Sequence, residues 1–416
     1  MVHLTSEKLA SSSVPSVPND SGGLSIVIAT NSYFPADLDG GPPYSNRELA
    51  ESLARAGAKV TVVTTDRNGR QRLAVPKDRW VDVDGVAVFY ATTRAGSWLH
   101  SRSYWRAIHE VMGKGDICIM SAVFWNFTGL AAWLACRMSG RPFVTFARGL
   151  LGRWALSHKA PKKRIYWMLL AKRIVNDSAA VIALAQSEAR DLASSNIRPP
   201  VVIIPNGAPR IPSDEEITTH SKLLNRLAER PYIAFLGRVH GIKGVDLLIP
   251  AFERCAAAGM GVRLVIAGAI DPDYAATFAR LLESCAHRDQ IDVVGSVTGP
   301  AKFKLLEHAA AFVLSSYGEG LPVAVLEAMS VGTPVIVTKH CNLPEVSQFR
   351  AGIEVETSVD AVAAALTRVL TDRQLHAELS ANASRLVRER FSWDAVGTRV
   401  LRLCSDVLAD RSQHAS

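Results

Sequence analysis

SSYGEGLPVAVLEAMSVGTPVIVTKHCNLPEV, residues 315–346, reads as a strand end, a turn, a helix and a second strand in succession. The turn runs through Gly318-Glu319-Gly320, the helix starts at Leu321-Pro322, and an apolar strand follows Gly332. Pro just inside a helix start and Gly just past its end are the expected punctuation. The flanking glycines let backbone N–H groups approach a ligand at the positive end of a helix, a place suited to anions. Two acids frame it, Glu319 in the turn and Glu327 in the helix. A carboxylate in an anion site repels phosphate, so both acids suit neutral hydroxyls, as on a sugar or ribose. The combination points to a sugar nucleotide.

Working back from this stretch, apolar runs alternate with amphipathic ones. Strands are expected at Tyr232–Leu236, Arg263–Ala267, Ile291–Val294 and Ala311–Leu314, with helices at Val245–Ala257, near Tyr274–Ala286 and at Ala301–Ala310. The signature therefore falls at the carboxyl ends of strands in a parallel sheet, where open α/β sheets bind ligands. Pro205–Lys222 mixes Pro, Gly and charge and reads as an interdomain connection. Before it lies a first alternation: strands Leu24–Thr30, Lys59–Thr64, Asp116–Met120, Pro142–Phe146, Ala179–Leu184 and Val201–Ile204, with helices at Arg47–Ala56 and Thr128–Met138. The fold class is α/β, with two doubly wound, Rossmann-like domains. The expected divisions are a disordered tail over 1–23, an N-terminal domain over 24–204, a C-terminal domain over 205–390, and a helix and tail over 391–416.

A second cluster, FLGRVHGIKGVDLL (Phe235–Leu248), follows a strand of the C-terminal half. Arg238 and Lys243 lie in the short loop before a helix, so two cations and a helix N-terminus converge. Such a group can hold a diphosphate and stabilise its growing charge as it leaves. Taken alone, the pair reads as ordinary solvated charge; beside Glu319 and Glu327 it reads as a ligand site.

Composition narrows the class. A chain of 416 residues with 48% hydrophobic residues has material for more than one core. The net charge of +8 fits a polyanionic substrate, nucleic acid or an anionic membrane surface, and charge alone does not choose among them. Six scattered cysteines, without a CxxC pair, read as reduced buried thiols of a cytoplasmic protein. Residues 1–23 lack the apolar core of a signal peptide, and no run is long enough to span a bilayer. No GxGxxG follows the first strand, which argues against a dinucleotide oxidoreductase. No aromatic-basic recognition module is present, which argues against nucleic acid as a partner. The basic run Lys159–Val175, KAPKKRIYWMLLAKRIV, carries interfacial aromatics and is a candidate for weak attachment to an anionic membrane surface.

The set PNG at Pro205–Gly207, GR…KG at Gly237–Gly244, IAG at Ile266–Gly268, and Glu319 and Glu327 separated by seven residues resembles the family-four retaining glycosyltransferases of GT-B fold. DGGPPYSNRELAESLARAGAKVTVVTTD and ARGLLGRWALSHKAPKKRIY in the first half are similar to members from bacterial exopolysaccharide and lipopolysaccharide pathways. The resemblance implies two domains facing a cleft, with the C-terminal helix packing back on the N-terminal domain. It implies that Arg238 and Lys243 bind the donor diphosphate, Glu327 the ribose, and Glu319 with the backbone of Gly320 and Leu321 the transferred sugar. Glu319, Arg238 and Lys243 are then the catalytic set, and the Gly40-Gly41 loop closes over the phosphates. It further implies hexose transfer from a nucleotide-diphosphate sugar to a glycan or lipid-linked acceptor, with retention and with neither metal nor cofactor, at the cytoplasmic face of the inner membrane.

Asp271-Pro-Asp273 has the spacing of a metal motif, but Pro272 and a helix start argue for capping. The chain also departs from the family. Histidines common in relatives are replaced by Ile119, Ser121, Ala147 and Arg148. Arg148 is left as a fixed cation, a candidate contact to acceptor or phosphate, and no general base is assigned. Two other readings stay open: a nucleotide-sugar epimerase of the same architecture, and a non-catalytic sugar-nucleotide-binding protein.

Overall fold

The structure, a computed structural model, describes residues 23–36, 38, 41–94, 98–121, 126–148, 170–211, 221–227 and 229–415. The N-terminal tail up to residue 22, Gly40 and residues 159–169 of the basic run lie outside the described residues. Two compact units emerge, one comprising the chain up to Gly207 together with Trp393–Ser416, the other Ala208–Ser392.

In the first unit the strands are β1 (Ser25–Thr30), β2 (Lys59–Thr65), β3 (Arg67–Asn68), β4 (Gln71–Arg72), β5 (Trp80–Val83), β6 (Val86–Ala91), β7 (Ile117–Ser121), β8 (Phe143–Phe146), β9 (Ala180–Ala183) and β10 (Val201–Ile203). Its helices, in order, are α1 (Gly41–Arg55), α2 (Arg102–Met112), α3 (Phe127–Met138), α4 (Lys172–Asn176) and α5 (Gln186–Ser194). The main sheet runs β10-β9-β8-β7-β1-β2-β6-β5, parallel except for β5 against β6. Strand β1 sits inside it, Ile26 facing Val60 on one side and Ile117 on the other. Being covered on both faces, β1 is apolar without alternation.

Three features of this unit differ from the sequence expectation. Helix α1 begins six residues early, at Gly41, because Pro42 and Pro43 fill its first turn, where missing amides cost nothing. Helix α2 and the β5–β6 hairpin were not expected. The hairpin turns through Asp84-Gly85, both at positive φ, the two-residue turn that Asp-Gly favours. The basic run ends in α4, with Ile174 and Val175 buried and the Arg173 guanidinium 5.8 Å from the Trp133 ring centroid.

The second unit holds β11 (Tyr232–Leu236), β12 (Arg263–Ala267), β13 (Ile291–Gly295), β14 (Ala311–Leu314), β15 (Val335–Thr338) and β16 (Gly352–Val355). Its helices are α6 (Ser221–Leu227), α7 (Val245–Ala257), α8 (Ala275–Ser284), α9 (Pro300–Glu307), α10 (Val323–Ser330), α11 (Glu345–Gln348), α12 (Val359–Thr371) and α13 (Arg373–Leu386). The sheet order is β13-β12-β11-β14-β15-β16, all parallel, and reverses direction between β11 and β14. Such a reversal leaves a crevice at the carboxyl ends of the two strands. Strands β11, β12 and β14 and helix α7 have the limits expected from the apolar pattern.

The chain then returns to the first unit as α14 (Trp393–Ala415). Trp393, Val396, Val400 and Cys404 are buried in the core beneath β1 and β2. Packing against α1 is close enough that a Cβ on Gly397 would come within 2.5 Å of Ser52 Oγ. The Trp393 ring lies flat against Gly207, whose own Cβ would fall 2.6 Å from it. This helix is thus core of the N-terminal unit, although it comes last in the chain. Trp393→Ala is expected to cost about 3–5 kcal/mol, read as an earlier urea midpoint for the transition of that unit; a midpoint unchanged from wild type would contradict the packing.

Candidate active site

Residues expected to meet a donor come together at the carboxyl ends of β11 and β14. Past β11 the chain continues through Arg238 and Val239, the latter bridged to Ile270 beyond β12. A 3₁₀ turn, Gly241–Lys243, follows, and Gly244 in the left-handed region opens α7. Gly244 has φ +68°, and a Cβ there would lie 1.9 Å from the Ser315 carbonyl oxygen. The Ser315 hydroxyl in turn donates to the Gly244 carbonyl at 2.6 Å. This contact sets the β11 loop against the end of β14 and brings Lys243 to Glu319.

Lys243 Nζ lies 2.7 Å from Glu319 Oε1, which also accepts from the Ser316 hydroxyl at 2.6 Å. The glutamate side chain is only 10% exposed and the lysine 24%. The turn carrying Glu319 is fixed from below by the loop after β15. The Glu319 amide donates to the His340 carbonyl at 3.0 Å, and Asn342 Nδ2 donates to the Glu319 carbonyl at 2.7 Å. Asn342 is in the left-handed conformation, φ 54°, which Asn tolerates better than other side chains. Among the described residues, the Gly320 and Leu321 amides donate to no acceptor, which leaves them available at the start of α10.

Arg238 is 64% exposed and its one ion pair among the described residues, to Asp271 Oδ2 at 3.4 Å, is of the surface kind worth 1 kcal/mol or less. Exchange of that partner for a diphosphate is therefore inexpensive. Asp271 also caps the following turn, its carboxylate accepting from the Asp273 amide at 3.1 Å. Glu327 is held apart from this cluster. It is buried on α10 and paired with Lys302 of α9, Nζ to Oε1 2.6 Å. The expectation that it reaches a ligand directly acquires a second participant: any hydroxyl it binds shares the carboxylate with Lys302.

Sequence reasoning did not pick out Ser316, Asn342 or Lys302, and read Asp271 for capping only. Asn342 had a signal, a single Asn between a strand and Leu-Pro; Lys302 had none, since its role depends on how α9 lies beside α10.

In the N-terminal unit, Gly41 starts α1 with open space around the position of a Cβ. Arg148, just past β8, is partly buried, with φ 45°. Its Nε donates to Ser121 Oγ at 2.8 Å, Nη1 to Ser45 Oγ at 2.5 Å and Asn206 Oδ1 at 3.2 Å, and Nη2 to Asn46 Oδ1 at 3.0 Å. The guanidinium stands 4.9 Å from the centroid of the Phe146 ring. Burial lowers its pKa to about 10, against the opposing field of Glu188, so it stays charged at neutral pH.

Two family descriptions match the chain: Glycosyl transferase 4-like domain over residues 40–207 and Glycosyl transferases group 1 over 216–386. An uncharacterized glycosyltransferase of Methanocaldococcus jannaschii is 26% identical over 390 residues, covering 89% of this chain and 95% of that protein. A D-inositol 3-phosphate glycosyltransferase of Xylanimonas cellulosilytica is 26% identical, covering 85% and 88%. Among solved structures, Anabaena HepE in complex with UDP-glucose superposes with a TM-score of 0.64 at 17% identity, covering 92% of this chain and all of that one. The last likeness bears on fold alone.

Proposed function

Because the chain belongs to the glycosyltransferases of GT-B fold and uses nucleotide sugars, we propose that it moves a hexose, with retention and without a metal, to a glycan or lipid-linked acceptor in bacterial polysaccharide synthesis. The observation that supports this most is the Lys243–Glu319 pair beside the unpaired amides of Gly320 and Leu321. Lys243 and Arg238 neutralise the diphosphate as the anomeric C–O bond breaks, a task a divalent cation performs elsewhere. Glu319 accepts from hydroxyls of the sugar, and the two amides hold oxygen atoms of the donor. The acceptor oxygen bonds to the anomeric carbon on the face the diphosphate leaves, and its proton passes to the departing phosphate oxygen. Glu327, steadied by Lys302, is the acceptor of the ribose hydroxyls.

Donor identity follows from binding. A panel of UDP-, GDP- and ADP-sugars should contain one that raises the apparent stability by about 2.7 kcal/mol at a hundredfold excess over its Kd. Incubating that donor with lipid-linked glycans should yield a product whose anomeric configuration, read by NMR, matches the donor. Inversion would refute the retaining mechanism, and failure of every nucleotide sugar to stabilise the protein would refute the donor site.

A further inference from the structure

Arg148 carries a full charge with no acid in salt-bridge contact among the described residues, and its surroundings explain what it is free to take. A guanidinium has five N–H groups and cannot accept. Four are spent on Ser121, Ser45, Asn206 and Asn46, all neutral. Because arginine only donates, both asparagines must turn their carbonyl oxygens to it, which fixes where their NH₂ groups are left.

Asn46 uses its own NH₂ inside the protein, on Thr30 Oγ1 at 2.8 Å. Ser121 donates to Asn46 Oδ1 at 2.7 Å, and Ser45 to the Pro42 carbonyl at 3.1 Å. Asn206 differs. Its NH₂ has no acceptor among the described residues, and its side chain is only partly buried. Its backbone is pinned by the next residue, Gly207, against the Trp393 ring. Every acceptor oxygen of the cluster thus already faces the arginine and takes a bond from it. What remains is a positive charge, one guanidinium N–H and the Asn206 NH₂.

A subsite for a neutral sugar needs acceptors as well as donors. A rigid set of donors around a cation that has no acid in contact among the described residues, with Glu188 acting on it through space, is suited to an oxyanion. We propose that Arg148 and Asn206 bind a phosphate group of the acceptor substrate, so that the N-terminal unit selects phosphorylated acceptors. This rests on the glycosyltransfer reading for the word acceptor. The donor's diphosphate already has its cations, Lys243 and Arg238, in the other unit. A phosphate at Arg148 from the donor instead would be a different outcome, which the test separates.

The test uses inorganic phosphate as the probe, with binding to the full chain followed by calorimetry at fixed low ionic strength. Asn206→Asp keeps the oxygen that faces Arg148 and gives the arginine an acid, so the fold is retained, while the free donor becomes a repelling charge. Phosphate affinity should fall about tenfold or more in Asn206→Asp and survive in Lys243→Gln. Arg148→Lys, which keeps charge without the fork, should fall between. Nucleoside diphosphate affinity should fall in Lys243→Gln and hold in Asn206→Asp. Phosphate binding that persists in Asn206→Asp, or is absent from the wild type, overturns the subsite. Parallel loss of nucleoside diphosphate affinity in Asn206→Asp overturns its assignment to the acceptor. A protein that binds phosphate at Arg148 but no nucleotide sugar would instead refute the donor reading and leave the anion subsite standing.

Discussion

Glu319→Gln is expected to lower kcat/KM for the preferred nucleotide sugar by about 10²–10³, with Lys243→Met lowering it by a similar factor. In the proposed mechanism the two act on opposite charges of one donor. Glu319 offers a charged acceptor to sugar hydroxyls, a bond about twice as strong as one to a neutral amide. Lys243 opposes the charge that develops on the diphosphate. Their ion pair of 2.7 Å means that each also holds the other in place before substrate arrives. Stability separates the two roles. Lys243→Met leaves a carboxylate that is 10% exposed with the Ser316 hydroxyl as its remaining partner, which should cost about 2 kcal/mol. Adding Glu319→Gln to Lys243→Met removes the stranded charge, so the double variant should regain most of that loss in urea unfolding while remaining inactive. Additive stability losses, or near wild-type turnover in Glu319→Gln, would remove the pair from the site.

Gly244→Ala is expected to be as damaging to activity, through the backbone position it sets and not through a side chain of its own. Its φ of +68° is strained for alanine, and the new methyl carbon would sit 1.9 Å from the Ser315 oxygen. Left-handed strain alone costs of order 1–3 kcal/mol. The overlap is with backbone on both sides, so relief requires the β11 loop to move off the end of β14. That motion carries Lys243 away from Glu319. A displacement near 1 Å can cost about 10²-fold in rate, so kcat should fall by at least that factor and the melting temperature should fall with it. Gly41→Ala is the contrast: a methyl there meets nothing within 4 Å, so its stability should stay at the wild-type value. Equal behaviour of the two alanine variants would show that the loop contact is not what positions Lys243.

The two glycines illustrate how far sequence carries. Both stood in the sequence as loop glycines of a ligand site, and nothing in their neighbours told them apart. What separates them is the carbonyl of Ser315, 71 residues away in the chain. Glu319 and Lys243 were legible as neighbours because each stands at a strand end followed by a helix start, and in a parallel sheet all such ends lie on one edge. Glu327 was legible as an acid on the same helix, but its pairing with Lys302 was not. The β5–β6 hairpin is written in the sequence as Asp84-Gly85 between apolar alternations, a weaker signal than the longer, doubly buried strands.

Local pattern by itself determined the α/β class, the two alternations and most strands to within a residue or two, and it singled out the four charged residues of the proposed donor site. These follow from periodicity, turn chemistry and charge, all of which act over a few residues. The tertiary structure decided three things that local pattern does not, the first of them implied beforehand only by the family resemblance. Helix α14 belongs to the core of the first unit, since its apolar face has no preference along the chain and finds whichever sheet is left uncovered. Lys243 rests on Glu319, and Lys302 on Glu327, because ion pairing depends on side-chain ends that sequence spacing does not locate. Arg148 is a cation without an acid in contact among the described residues, because Ser45 and Asn46, Ser121, and Asn206 converge on it from three separate segments of the chain.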